Sequence, residues 1–269
     1  MTESKSKKNI LIEIWDNIYL FDLSVFIKNS KILIISDLQL GYEEALNKKG
    51  FLIPRFQEKD IFFRLSYIMD KLKPNLVIIN GDIKHEFSVI SKTEWTSVKR
   101  LIEVIKKKSD LILIKGNHDN MLEPIAKKKE ISLLDFYFIK EEKIYICHGD
   151  EIHNNEFIKK SETIIIGHEH PAIGLREKGR VEKFKCFLKG KFNDKNMVVI
   201  PSFNTITEGT DILQEKLMSP FLKNIDNFEV FLINDLLKDE KNSKDNIKNK
   251  ELSQILYFGK VKSLINEFQ

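Results

Sequence analysis

Five times in this chain a short run of branched apolar residues stops abruptly at glycine and polar side chains. The runs are Ile32-Leu-Ile-Ile-Ser-Asp37-Leu38-Gln39, Leu76-Val-Ile-Ile-Asn-Gly81-Asp82-Ile-Lys-His85, Asp110-Leu-Ile-Leu-Ile-Lys-Gly116-Asn117-His118-Asp119, Ile144-Tyr-Ile-Cys-His148-Gly149-Asp150 and Thr163-Ile-Ile-Ile-Gly167-His168-Glu169-His170. Runs this short and this uniformly apolar read as strands buried on both faces, as in a largely parallel sheet. Such sheets bind ligands just outside the carboxyl ends of their strands. Taken alone, Gly-Asn-His-Asp would be an ordinary strand-to-helix turn, since Asn and Asp are common in turns. The recurrence changes that. Five of the six histidines (His85, His118, His148, His168 and His170) fall at these strand ends.

The remaining segments fill in around these strands. Residues 10–15 and 18–21 are expected to be two strands about a turn at Asp16-Asn17. A short helix at 43–48 follows the first site strand, and Pro54 suits the first position of a helix. Ile61, Leu65, Ile68 and Leu72 mark one face of a helix closed by Pro74. Ser91-Lys-Thr-Glu94 fits a capping box, opening a helix with Trp95, Val98, Leu101, Ile102 and Ile105 on its apolar side. Lys106-Lys-Lys108 at its end compensates the helix dipole. A helix at 121–129 completes a β-α-β-α-β-α pattern, which specifies a layered α/β unit.

The second half is strand-rich: 131–139, 144–147, 164–166, 181–188, 197–201 and 228–233 are expected strands, with one helix near 155–160. Residues 238–250 are charged without periodicity and read as a solvated loop. Strand 255–258 and helix 261–268 then return. The expected layout is a domain at 1–237, the loop at 238–250 and a strand and helix at 251–269 packing back on the domain. Two face-to-face sheets with outer helices accommodate both halves. There is no internal repeat and no Gly-x-x-x-x-Gly-Lys phosphate loop.

At 269 residues with 42% hydrophobic content, one large core is expected. No apolar run approaches the roughly 20 residues that cross a bilayer. The charged start, Met1 to Lys8, does not read as a signal peptide. Cys147 and Cys186 lie in apolar segments and read as reduced core residues, which points to the cytoplasm. The formal net charge of +4 is spread along the chain and by itself says little about nucleic acid.

Asp37, Gln39, Asp82, Asn117, His148, His168 and His170 mix oxygen donors for hard cations with imidazoles for transition metals. They are too many for one tetrahedral zinc. Two ions sharing a carboxylate, about 3.5–4 Å apart, suit them, as in phosphate-ester hydrolysis. The ordered set Asp37-Leu38-Gln39, Gly81-Asp82-Ile83-Lys84-His85, Gly116-Asn117-His118-Asp119, His148-Gly149-Asp150 and Gly167-His168-Glu169-His170 resembles the calcineurin-like metallophosphoesterase superfamily. Its nearer likeness is to the SbcD-related and DNA-ligase-associated phosphoesterases, which also carry a segment like Pro201-Ser-Phe-Asn-Thr-Ile-Thr-Glu-Gly near the site.

The resemblance implies an α/β fold of the metallophosphoesterase type, a two-sheet sandwich flanked by helices in four layers (αββα). It implies a first divalent ion on Asp37, Gln39 and His170, a bridging Asp82, and a second ion on Asn117, His148 and His168. His118 would be the acid, Asp119 would orient it, and His85 would assist at the phosphate or support the site from behind. Gln39 departs from the family's histidine. An amide oxygen is a poorer donor for zinc and makes the first position manganese-like, with zinc, iron or nickel as the alternatives. The implied activity is phosphodiester hydrolysis, with DNA or RNA as substrate and a homodimer or DNA-repair protein as partner. The rivals are a phosphatase or cyclic-nucleotide phosphodiesterase, and a non-catalytic scaffold like the retromer subunit of this fold. His153 reads as a loop residue and Glu169 as a spacer.

Overall fold

The computed structural model describes residues 11–52, 56–86, 91–119, 121–177, 180–236 and 252–268. Pro54 and the charged stretch 238–250 lie outside the described residues. The first sheet has seven strands in sequence order. β1 (Ile12–Trp15), β2 (Ile18–Phe21) and β3 (Ser24–Ile27) form an antiparallel meander against β4 (Ile32–Ser36). β5 (Leu76–Asn80), β6 (Asp110–Ile114) and β7 (Ser132–Leu134) continue it in parallel. Parallel neighbours need crossovers. These contain α1 (Tyr42–Lys48) and α2 (Gln57–Leu72), α3 (Lys92–Lys106) and α4 (Glu123–Lys128).

The second sheet runs β14 (Thr210–Asp211), β11 (Pro171–Glu177), β12 (Arg180–Phe192), β13 (Lys195–Val199), β10 (Thr163–Ile166), β9 (Ile144–Cys147), β8 (Phe136–Ile139). The long β12 also pairs β15 (Glu229–Asp235), which pairs β16 (Ser253–Lys260). α5 (Glu156–Lys160) lies between β9 and β10, and α6 (Val261–Phe268) follows β16. Among the described residues no helix is long and apolar enough to cross a membrane.

Alternation along the strands builds the layers. Ile146, Ile165 and Val198 face the first sheet and share a core with Ile35, Ile79 and Leu113. Their neighbours Tyr145, Cys147, Ile164, Ile166, Met197 and Val199 face the other way, onto Ile158 of α5 and Val261 and Leu264 of α6. A strand shows successive side chains to opposite faces, so each of these strands supplies two cores. The outer face of the first sheet is closed by Ile61, Leu65 and Ile68 of α2 and Val98, Leu101 and Ile105 of α3. Helix, sheet, sheet, helix is the expected order of layers. Cys147 and Cys186 are both free and buried.

Two sequence expectations need correction. The single strand at 131–139 is two strands in different sheets: β7 ends the first and β8 begins the second, with only Asp135 between them. An apolar run has no mark for a change of sheet. Three strands were missed: β3, β11 and the two-residue β14. The capping box at Ser91 is present as expected, with both reciprocal hydrogen bonds.

One buried ion-pair cluster ties the layers together. Arg64 of α2 is 1% exposed and bonds Asp22 of the β2–β3 turn and Asp235 of β15, the latter at 2.8 Å. Ser253 Oγ of β16 donates to the same Asp22 at 2.6 Å. Removing one member of a buried pair leaves an uncompensated charge. Arg64→Ala is therefore expected to cost about 3–5 kcal/mol, read as a lowered midpoint in urea at unchanged slope.

Candidate metal centre

The five strand ends meet at one edge of the sandwich, where the backbone takes an unusual course. Asp37 (φ 55°), Gln39 (φ 45°), Asp82 (φ 44°), His168 (φ 63°) and His170 (φ 50°) all adopt left-handed conformations. Side chains reach this region rarely, at a cost on the order of 1–3 kcal/mol each, and such residues cluster at functional sites. Neighbours hold them there. Gln39 N donates to Asp82 O at 2.8 Å, His168 N to Asp37 Oδ2 at 3.1 Å, and Thr210 N to His170 O at 2.9 Å. Phe203 N on Ser36 O (2.8 Å) and Ser202 Oγ on Asp37 O (3.2 Å) bring the segment after Pro201 against Asp37. A Cβ at Gly81 would overlap the His148 imidazole, and one at Gly167 would overlap Ser36 Oγ. Glycine is required for those approaches.

Two ligand groups result, and they share one carboxylate. Asp82, His148 and His168 offer atoms within 4.8 Å of one another, as do Asp37, Asp82 and His170. His148 Nε2 lies 3.1 Å from Asn117 Oδ1, 3.2 Å from His168 Nδ1 and 3.5 Å from Asp82 Oδ1. Ligand bonds near 2.1 Å place neighbouring donors of one ion about 3.0–3.4 Å apart, so this spacing suits a shared ion. In the other group His170 Nε2 and Asp37 Oδ1 stand 3.2 Å apart. Both atoms are buried without a hydrogen-bond partner, as is Gln39 Oε1. Buried polar atoms are normally satisfied, and an unpaired carboxylate oxygen 3.2 Å from an unpaired imidazole nitrogen fits a cation held between them.

The surrounding residues fix the donors. His148 Nδ1 faces Asn80 O at 3.4 Å, leaving Nε2 for the ion-binding side. Ser36 and Asn80 are fully buried: Ser36 Oγ reaches Asp37 Oδ2 at 2.7 Å, and Asn80 Nδ2 donates across the sheets to Cys147 O at 2.8 Å. Sequence reasoning passed over both, although each is the polar residue that ends an apolar run. It also passed over Glu43 and Gln57. The Glu43 carboxylate accepts from the backbone N–H groups of Phe56 and Gln57, and Gln57 Nε2 donates to Gln39 O at 2.9 Å. The start of α2 is thereby bolted to the Gln39 loop.

Beside the two groups, His118 N donates to Asp82 Oδ1 at 3.0 Å, and His118 Nε2 stands 3.7 Å from Asp82 Oδ2. His118 Nδ1 meets the His85 carbonyl at 2.6 Å, which places a proton on Nδ1 and leaves Nε2 to exchange one. The Asp119 carboxylate, next in the chain to this ring, accepts from the backbone N–H groups of Gly116 and Ile83, each at 3.1 Å, pinning two motif loops together. Glu169 is no spacer either. It is fully buried, and its Oε2 accepts from Met218 N (2.8 Å) and Ser219 N (2.9 Å).

A family model for calcineurin-like phosphoesterases matches residues 30–224. The chain belongs to the calcineurin-like phosphoesterase family. Among solved structures it is similar to the nuclease MPE of Pseudomonas putida, with 19% identity, coverage of 82% of this chain and 95% of that one, and a TM-score of 0.59. It is also similar to YfcE, a phosphoesterase from E. coli (13% identity, 74% and 86% coverage, TM-score 0.36). A third is zinc-complexed Vps29 from Entamoeba histolytica (12% identity, 85% and 99% coverage, TM-score 0.33). At 19% identity the likeness to the nuclease is one of fold. No curated protein sequence matches the chain.

The metal-free charges of this phosphoesterase set a pH dependence. Burial opposes the imidazolium of His148, but the hydrogen bond to Asp82 and the charges of Asp37 and Asp82 outweigh it, pushing its pKa up to about 9. Burial and the charge of Asp82 push Asp119 up to about 7. A histidine with a raised pKa stabilises the fold below its ordinary value of 6.5 and loses that stabilisation as pH rises through 9. A carboxylic acid with a raised pKa likewise favours the fold on the acid side. Metal binding needs His148 neutral, so it gains as the proton leaves. The expected result is a metal-free protein that loses stability from pH 6.5 to 9, on the order of 3 kcal/mol from His148, while the increment on adding metal grows. Thermal melts with chelator and with manganese across that range check it.

Proposed function

We propose that this chain is a two-metal phosphodiesterase acting on nucleic acid. The observation that carries the reading is the pair of ligand groups sharing Asp82. Asp37, Gln39, Asp82 and His170 would hold the first ion, and Asp82, Asn117, His148 and His168 the second. Divalent ions in such a pair supply Lewis acidity, lowering the pKa of water and neutralising phosphoryl charge. The chain's own contribution is orientation and proton transfer. His118 Nε2, with Nδ1 fixed by the His85 carbonyl, delivers a proton to the departing oxygen. His85 packs edge-on against Tyr42, with ring centroids 4.7 Å apart, and supports His118 from behind. That a protein of similar fold is a nuclease supports nucleic acid, over a small phosphate ester, as the substrate of this chain.

Manganese is the proposed metal because Gln39 gives the first position an oxygen donor in place of a nitrogen. Gln39→His should tighten that position and broaden the usable metals. The experiment titrates manganese into wild type and Gln39→His, following bound metal and cleavage of labelled single- and double-stranded DNA at each addition. Two bound ions and diester cleavage in wild type are expected. One ion and no cleavage in wild type, with both restored by the histidine, would make the scaffold the better reading.

A further inference from the structure

Next to the candidate metal centre lies a polar cavity of about 210 Å³. Lys115, Asn117, Asp135, Asp150, Glu151 and His153 line it. Asn117 belongs to both places: it faces His148 Nε2 at 3.1 Å and forms part of the cavity wall. Whatever is esterified to a phosphate at the centre can therefore extend into this cavity. His118 contacts Asp82 and His85, neither of which lines it, so the cavity serves no part of the proton transfer described above.

The hydrogen-bond network fixes what one wall offers. Asn155 Nδ2 is a donor and gives its hydrogen bond to Tyr145 OH at 2.9 Å. Tyr145, fully buried, then has its own proton for His153 Nδ1, 2.7 Å away. With Nδ1 accepting from that hydroxyl, the N–H of the ring is on Nε2. Nε2 stands 3.3 Å from Glu151 Oε1, a carboxylate that is 73% exposed and free to move aside. The wall thus has one oriented N–H donor, and Asp135, Asp150 and Glu151 offer acceptors. Three carboxylates against the single Lys115 make the cavity hostile to a second phosphate. They suit a neutral group rich in hydroxyls.

We infer that this cavity is a specificity pocket for the uncharged sugar of the nucleotide attached to the scissile phosphate. It rests on the phosphodiesterase reading, and it adds that a phosphate further along that sugar is rejected. Substrates are then nucleotide termini whose outer sugar hydroxyl is unphosphorylated.

The test uses the manganese-loaded full chain and three esters. They are bis(para-nitrophenyl) phosphate, which has no sugar, the para-nitrophenyl ester of thymidine 5′-phosphate, and the same ester with a 3′-phosphate. Wild type should prefer the second in kcat/KM and disfavour the third. His153→Ala should cut the preference of the sugar ester over the sugarless one about fivefold to tenfold, the loss of one hydrogen bond. Glu151→Gln, at an exposed position where folding is not at stake, should relax the penalty on the 3′-phosphate. If the sugarless diester is cleaved but both ratios are unchanged in the two variants, the pocket is refuted and the phosphodiesterase reading stands. If no ester is cleaved with any divalent metal, both readings fall together.

Discussion

Asp82→Asn is expected to empty both ion positions at once and to lower turnover by more than about 100-fold. Asp82 is the one side chain present in both ligand groups, and it is 3% exposed. Outer partners of metal ligands already cost 10–100-fold in affinity or activity when removed, so the shared ligand should cost more. The amide keeps the shape but has one oxygen and no charge, and cannot serve two cations. Elemental analysis after gel filtration, beside a diesterase assay, gives the answer. Two equivalents of metal retained by the variant would contradict the bridging role.

His118→Ala is expected to separate binding from chemistry. Its ring is held by the His85 carbonyl, and its backbone N–H, which the substitution keeps, is the group that bonds Asp82 Oδ1. Metal content should stay near wild type. Cleavage of esters with poor leaving groups should fall about 10²–10⁴-fold, while activated nitrophenyl esters, whose leaving group needs no proton, should lose far less. Equal losses on both kinds of ester would remove the acid role from His118.

The strands that carry the site were legible because their signal is local: an apolar run, then a glycine or a metal-type donor. The helices were legible from the spacing of Ile61, Leu65 and Ile68 and from the Ser91 capping box. What failed depended on partners distant in sequence. β11 begins at Pro171 and contains Gly174, neither of which favours a strand. Gly174 is there because Asp211 crowds its α-carbon. Glu169 looked idle because the two amides that it binds come 49 and 50 residues later. The bond from Ile83 N to Asp119 likewise joins residues 36 apart, and nothing in Gly-Asn-His-Asp encodes it.

The passage of the chain from β7 to β8 through Asp135 has a consequence for the centre. Asp37, Gln39, Asp82 and Asn117 follow strands of one sheet, whereas His148, His168 and His170 follow strands of the other. Each ligand group therefore has one jaw on either side of a seam, and the sandwich works as a caliper whose opening is set by the side chains packed between its sheets. Ile35, Ile79, Ile165 and Phe187 form part of that packing. Interiors this dense transmit a change of volume instead of absorbing it. The choice between a larger and a smaller ion is thus open to adjustment from the hydrocarbon interior, without exchanging a single donor atom.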